Sequence, residues 1–178
     1  FKKPTTEELD HDFLWRVHKE VPAKGQIAIF NRSHYEDIIA VRVKKIFPDP
    51  VWKRRYKHVL DFESMLAEEG TVIIKLFLNI SKEEQKKRLE SRLQDPDKLW
   101  KFCMDDLDDR NRWDEFQTAY QDLIEKTSTP EAPWYIIPAD RKWYRNLVVA
   151  RLMVEKLRHL QLSLPTPNFD PASIIIPD

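Results

Sequence analysis

Three short apolar runs, at residues 27–30, 71–78 and 134–137, are separated by longer stretches whose apolar side chains recur at helical spacing. Runs so short and so uniformly apolar suit strands covered on both faces. Their alternation with helices predicts an α/β fold: a central parallel sheet with flanking helices. Three strands are few for such a sheet. Gly25 and Gly70 are the only glycines in 178 residues, so no glycine-rich phosphate loop can be written in this sequence. Two expectations stay open. Either the chain is the later part of a longer polypeptide, with an opening strand and a phosphate loop upstream, or its fold uses no such loop.

The helices have legible ends. Thr5 with Glu8 has the capping-box pattern, opening a helix with Leu9, Phe13 and Val17 on one face that Pro22 ends. Residues 35–47 read as helix and then loop. Asp49-Pro50 starts a longer helix in which Trp52, Tyr56, Val59, Phe62 and Leu66 recur until Gly70 closes it. Ser81 with Glu84 opens a basic helix through Arg92, and Asp95-Pro96-Asp97 breaks it. The charged stretch to Asp109 reads as irregular, a candidate mobile lid. Trp113, Phe116, Tyr120, Leu123 and Ile124 mark a helix ending near Ser128, and Asp140 is expected to cap a last one. Residues 163–178, with four prolines, read as an extended arm beyond one domain of residues 1–162.

Charge is high but balanced, with 30 basic and 30 acidic residues, so no global field draws the chain to nucleic acid or to a membrane. The lone Cys103 excludes an internal disulfide and a cysteine-built zinc site. No apolar stretch approaches the ~20 residues of a membrane span. The expectation is a soluble cytoplasmic protein with neither nucleic acid nor membrane as partner.

Chemistry concentrates in three clusters. The run 27–30 breaks into Asn31, Arg32, Ser33, His34, Tyr35, Glu36 and Asp37. In open α/β sheets such residues, just past a strand's carboxyl end, lie where ligands bind. An amide, a guanidinium, an imidazole and two carboxylates suit a phosphate and its magnesium ion; the bland alternative is a polar loop capping a helix. The second cluster, Arg42, Lys44, Lys45, Lys53, Arg54, Arg55 and Lys57, has Asp49 as its only acid. It is either a local polyanion surface or a solvated helix face. The third holds Arg88 and Arg92 one turn apart, then Lys98, Lys101, Arg110 and Arg112 among aspartates. That pattern suits a kinase lid in which an arginine closes over the transferring phosphate, or else a salt-bridged surface excursion.

Together these segments resemble the polyphosphate kinase 2 family. The resemblance rests on Glu8-Leu9-Asp10-His11-Asp12-Phe13-Leu14-Trp15-Arg16, Phe30-Asn31-Arg32-Ser33-His34-Tyr35-Glu36-Asp37, Phe62-Glu63 and Ile80-Ser81-Lys82-Glu83-Glu84-Gln85. It continues through Asp95-Pro96-Asp97-Lys98-Leu99-Trp100-Lys101-Phe102, Ala132-Pro133-Trp134-Tyr135 and Ile137-Pro138-Ala139-Asp140-Arg141-Lys142-Trp143, in order over roughly residues 4–160. The form of the Asn31–Asp37 stretch is similar to the class III branch, associated with phosphorylation of both AMP and ADP.

The resemblance implies a P-loop kinase fold like thymidylate kinase, with a lid at about residues 88–112. The implied reaction moves phosphoryl groups reversibly from inorganic polyphosphate to AMP or ADP with Mg2+. Asn31 and Arg32 take the place of the family's Walker B segment: Arg32 toward phosphate, Asn31 toward the metal or its waters. Arg92, and second Arg88, are expected to neutralise the transferring phosphate. Lys98, Lys101 and Arg110 belong to the lid, and His34, Glu36 and Asp37 to the nucleotide or metal shell. Arg54, Arg55 and Lys57 are expected to line the polyphosphate path on charge alone. By analogy the protein is a homo-oligomer, dimer or tetramer. Two departures stand out: Asn31 where many relatives have aspartate, and Phe102-Cys103-Met104-Asp105 where the lid commonly has serine or asparagine before proline. The rival readings are an ATP-dependent nucleoside monophosphate kinase and a non-catalytic polyanion-binding module.

Overall fold

A parallel pair of strands, β1 (Lys75–Asn79) and β2 (Trp134–Pro138), runs in register from Lys75 opposite Trp134 to Asn79 opposite Pro138. The structure, a computed structural model, describes residues 1 and 3–177. Ahead of β1 come α1 (Thr6–Asp10), α2 (Trp15–His18), α3 (Glu36–Val43) and α4 (Asp49–Glu68). The crossover between the strands carries α5 (Lys82–Gln94), a 3-10 helix (Pro96–Lys101), α6 (Asp105–Asn111) and α7 (Trp113–Thr127). Helix α8 (Lys142–His159) follows β2, and residues 163–177 run exposed apart from a 3-10 turn at Pro171–Ser173.

The core lies where α3 packs on α4 and α7, around Ile38, Ile39, Val59, Ala119 and Leu123. Helix α4 presents Trp52, Tyr56, Val59 and Phe62 to it from one face. Its end is a Schellman turn. Gly70, at φ +92°, supplies the left-handed residue, Gly70 N–H donates to Ala67 O at 3.0 Å and Thr71 N–H to Leu66 O at 2.8 Å. Burial of such side chains stabilises by about 1.5–3 kcal/mol each, which is why the helix periodicity was readable.

Several expectations are corrected. Residues 27–30 are not a buried strand: they carry no ladder, and Ile27 and Ile29 are 67% and 88% exposed. A strand needs a partner for its backbone groups, and no strand among the described residues pairs with residues 27–30. Residues 71–74 likewise stay outside the sheet, and among the described residues β1 is one of two strands rather than a central one. The first helix is broken in two because Asp12 Oδ1 accepts from Leu14 N at 2.9 Å and Trp15 N at 3.1 Å, starting α2 afresh. Leu9 is therefore exposed while Val17 is buried.

The charged stretch after Asp95 is helical rather than irregular. Asp95 caps the 3-10 helix through Asp97 N at 3.1 Å, and Asp105, Asp106 and Asp108 fill the first turn of α6, where the helix dipole favours acids. Asp140 does not cap α8; its Oδ1 accepts from Ser81 N at 2.8 Å instead.

Candidate active site

The carboxyl ends of the two strands are tied into one rim. Ala139 N donates to Asn79 O at 2.8 Å, Ser81 N to Asp140 Oδ1, and Arg88 Nη2 to the carbonyls of Ala139 (2.7 Å) and Asp140 (3.1 Å). Ser81 also caps α5 through Glu84 N at 3.1 Å. Rims of this kind hold ligands in open α/β sheets because loops and helix N-termini converge there.

Beside the end of β1 opens a cleft of about 280 Å³ lined by Phe77, Asn79, Arg32, Gln85, Asp106 and Asp109, with Trp113, Phe116, Gln117 and Tyr120 along α7. Arg32 stands at φ +61°, a left-handed conformation that costs a non-glycine residue ~1–2 kcal/mol. Its side chain is exposed and donates no hydrogen bond among the described residues. Glu36, in the first turn of α3, is pushed up by burial, with Arg32 pulling it down and Asp109 and Asp37 pushing it further up. Burial, then Glu36, raise the Tyr120 phenol, so its hydroxyl stays protonated and able to donate. The cleft thus offers an exposed guanidinium, a phenol, amides, two ion-paired carboxylates and an aromatic wall.

A buried network holds this corner. Lys75 Nζ donates to Glu63 Oε2 (2.8 Å), Tyr35 Oη (3.1 Å) and Thr127 O (2.6 Å). Glu63 Oε1 accepts from Tyr35 Oη at 2.6 Å and faces His34 Nε2 at 3.2 Å. Burial acts to raise Glu63, but His34, Lys75 and Tyr35 together hold it below the ordinary value. Burial lowers Lys75 more than Glu63 raises it. Three acceptors within hydrogen-bond distance of Nζ favour the ionised pair. The network fixes β1, α4 and the segment two residues past Arg32 relative to one another.

The remaining expected site residues are dispersed. His34 is buried in that network and does not line the cleft. Asp37 is engaged: its carboxylate accepts from Arg16 at 2.9 Å and its carbonyl from Arg55 at 2.5 Å. Asn31 is exposed, and its carbonyl accepts from Phe1 N at 3.1 Å. Arg92 pairs with Asp106 at 3.2 Å, which brings it to the cleft's edge. Arg110 ties α6 to α5 through Lys82 O (2.6 Å) and Gln85 Oε1 (3.0 Å). Lys98 is paired with Asp95, and Lys101 lies over the Trp100 ring at 5.0 Å.

The basic cluster is largely neutralised by acids elsewhere in the chain. Arg42 pairs with Asp122 (2.6 Å), Lys44 with Asp109 (2.7 Å), Lys53 with Asp49 (2.8 Å) and Lys57 with Asp61 (2.5 Å). Arg55 is half-buried over the rings of Phe13 (4.6 Å) and Phe47 (5.3 Å), and burial lowers its pKa. Arg54 is exposed and donates to Pro50 O at 3.2 Å. Asp109 Oδ1 meets Lys44 as an ion pair without the alignment of a hydrogen bond.

Residues 1–164 match the sequence family described as Polyphosphate kinase 2 (PPK2). The chain belongs to the polyphosphate kinase 2 family. An AMP/ADP-polyphosphate phosphotransferase of Meiothermus ruber is 53% identical over 176 residues, covering 99% of this chain and 66% of that protein. An ADP-polyphosphate phosphotransferase of Rhodopseudomonas palustris is 39% identical over 177 residues, 93% of this chain and 61% of that one. The crystal structure of polyphosphate kinase 2 from Arthrobacter aurescens TC1 superposes with a TM-score of 0.93 at 50% identity, over 97% of this chain and 61% of that one. This chain therefore spans two thirds or less of the length of these polyphosphate kinase 2 relatives. The α/β kinase fold, with its parallel sheet and flanking helices, is the one the sequence predicts.

For a polyphosphate kinase 2 protein the position of a divalent ion matters. Among the described residues no group of three or more His, Cys, Asp or Glu is placed to hold a metal. Asp106 and Asp109 face the cleft, yet each is already ion-paired, with Arg92 and Lys44. These donors fit a metal carried by phosphate oxygens and touched by one or two protein oxygens, as magnesium commonly is. No helix among the described residues is long and apolar enough to cross a membrane.

Proposed function

We propose that the protein transfers phosphoryl groups from inorganic polyphosphate to AMP and ADP, with both substrates entering as magnesium complexes. The observation that carries this reading is the exposed guanidinium of Arg32 in a cleft at the carboxyl end of β1, within a chain that matches the polyphosphate kinase 2 family over residues 1–164. The names of the relatives, phosphotransferases acting between polyphosphate and AMP or ADP, support the same substrates here.

The chemistry asks little of covalent catalysis. A phosphate oxygen of the acceptor attacks the terminal phosphorus of polyphosphate, a new P–O bond forms, and the bridging P–O bond breaks with its electrons leaving on the shortened polymer. A phosphoanhydride is exchanged for a phosphoanhydride, so the reaction is close to balanced and runs both ways. Catalysis then consists of positioning and of charge neutralisation at the equatorial oxygens. Arg32 contacts the acceptor phosphate. Arg92 exchanges Asp106 for the transferring group when the segment carrying Lys98, Lys101 and Arg110 closes, and Arg88 holds the rim through its two carbonyls. Glu36 sets the charge beside Arg32, and Asn31 would be a ligand for magnesium or its waters when the ion is bound. Arg54 and Lys57, exposed on α4, meet the polymer.

Chromatography of products from the purified protein, incubated with magnesium, long-chain polyphosphate and AMP or ADP, tests this. ADP and ATP formed only when polyphosphate is present support it. Turnover with ATP as the sole donor would replace it with a monophosphate kinase. Salt-sensitive polyphosphate binding without turnover would leave a non-catalytic module.

A further inference from the structure

Helix α7 has two different faces. Ala119, Leu123 and Thr127, spaced four apart, are buried toward the core. Trp113, Phe116, Gln117 and Tyr120 recur at i, i+3, i+4 and i+7 and line the cleft, only partly covered. Phe116 and Tyr120 pack against the core on one side and line the cleft on the other, and an amide at Gln117 between them has no place in a core. Tyr120 is the centre of a wall of three rings, 4.9 Å from Phe77 and 6.4 Å from Phe116 between centroids. Gln117 makes no hydrogen bond among the described residues. Gln85, lining the same cleft, has its carbonyl oxygen held by Arg110 at 3.0 Å, which leaves its amide donor without a bond.

We propose that this wall takes the heterocyclic base of the acceptor nucleotide and that Gln117 reads the base's edge. The inference rests on the nucleotide-kinase reading above and deepens it by assigning specificity to a residue. Flat apolar rings accept any base by stacking, for about 1–3 kcal/mol, so they do not discriminate. A glutamine amide does. Its donor and acceptor match adenine's N7 acceptor and N6 donor together, whereas guanine presents two acceptors, N7 and O6, along that edge and opposes the amide oxygen. Arg32 lines the same cleft and supplies the charge a nucleotide's phosphate requires. The acceptor then lies along α7 with its base on the aromatic stripe and its phosphate at the end of β1.

Isothermal titration of the purified protein with adenosine, AMP, GMP and inorganic phosphate, beside steady-state rates with AMP and GMP as acceptors, tests the assignment. Wild-type protein is expected to bind adenosine and to prefer AMP over GMP. Gln117→Leu is expected to reduce that preference about tenfold or more, since one bidentate pair is worth about 1–3 kcal/mol of discrimination. Phe116→Leu should weaken adenosine, AMP and GMP alike. An unchanged AMP-to-GMP ratio in Gln117→Leu overturns the proposal, as does a wild-type protein indifferent to the base. Binding of inorganic phosphate without adenosine would leave only a phosphate site here and overturn it as well. Selective AMP binding lost in Gln117→Leu, with no polyphosphate-dependent turnover, would sink the kinase reading and leave the base site standing.

Discussion

Glu63 and Lys75 form an ion pair almost out of reach of water, with Oε2 2.8 Å from Nζ and each side chain 4% exposed. The lysine interrupts an apolar run and the glutamate interrupts the buried face of α4, so each is explained by the other. Removing one partner strands the other. Glu63→Ala is expected to destabilise by about 3–5 kcal/mol, read from urea unfolding. Glu63→Leu combined with Lys75→Met should cost less than the sum of the two single replacements, because no buried charge is left alone. Additivity of the two would show that the pair is not coupled.

The same glutamate sets an acid limit. Its folded pKa is lowered from the ordinary 4.5, despite burial acting the other way, by His34, Lys75 and Tyr35. The folded state therefore binds its proton less readily than the unfolded chain. Its contribution is whole above 4.5 and is lost as pH falls through the lowered folded value. Thermal midpoints measured down an acid series should drop in that window, and the drop should be shallower in Glu63→Gln.

Glu36 behaves in the opposite sense. Burial raises it, so stability falls as pH rises from 4.5 through its folded value. Glu36→Gln should raise the thermal midpoint at neutral pH, with the gain vanishing in acid. A gain that persisted at low pH would point to packing instead of charge.

Arg92 separates catalysis from stability. Its pair with Asp106 is open to water, 37% and 31% exposed, so Arg92→Ala should change stability by less than about 1 kcal/mol. The same change should lower kcat by about 10²–10³-fold if Arg92 neutralises the transferring phosphate. A kcat within a few-fold of wild type would remove Arg92 from the mechanism.

Arg55 and Lys57 should part company although they are two residues apart. Arg55→Ala removes packing on Phe13 and Phe47 and the bond to Asp37 O, and is expected to cost about 1–3 kcal/mol of stability. Lys57→Ala breaks only an exposed pair and should leave the midpoint within about 0.5 kcal/mol, while weakening polyphosphate binding at low salt. Calorimetric unfolding and polyphosphate titration distinguish the two.

The candidate site was partly legible. Arg32 and Arg92 stand out in the sequence because charge follows a strand-like run or a helix end; Arg32 lines the cleft, and Arg92 pairs with Asp106, which lines it. Gln117 and Tyr120 do not stand out in the sequence as site residues, since an aromatic stripe at helical spacing looks like core; the single amide within it is the available signal. The basic run around Lys53 misleads in the other direction. Its counter-charges, Asp122 for Arg42 and Asp109 for Lys44, come from α7 and α6 in the crossover, distant in sequence.

What the sequence by itself determined is local. The Thr5–Glu8 box, the Ser81 cap and the turn at Gly70 each depend on atoms within a few residues, and each forms at the expected place. So does α4, whose spacing fixes its buried face before any partner arrives. Tertiary structure alone decided the rest. Whether 27–30 is a strand depends on a neighbouring edge, whether Lys75 is tolerated depends on Glu63, and which face of α7 meets the cleft depends on Phe77 across it. Backbone ladders, buried charge and aromatic contact all need partners distant in sequence, and only the folded chain supplies them.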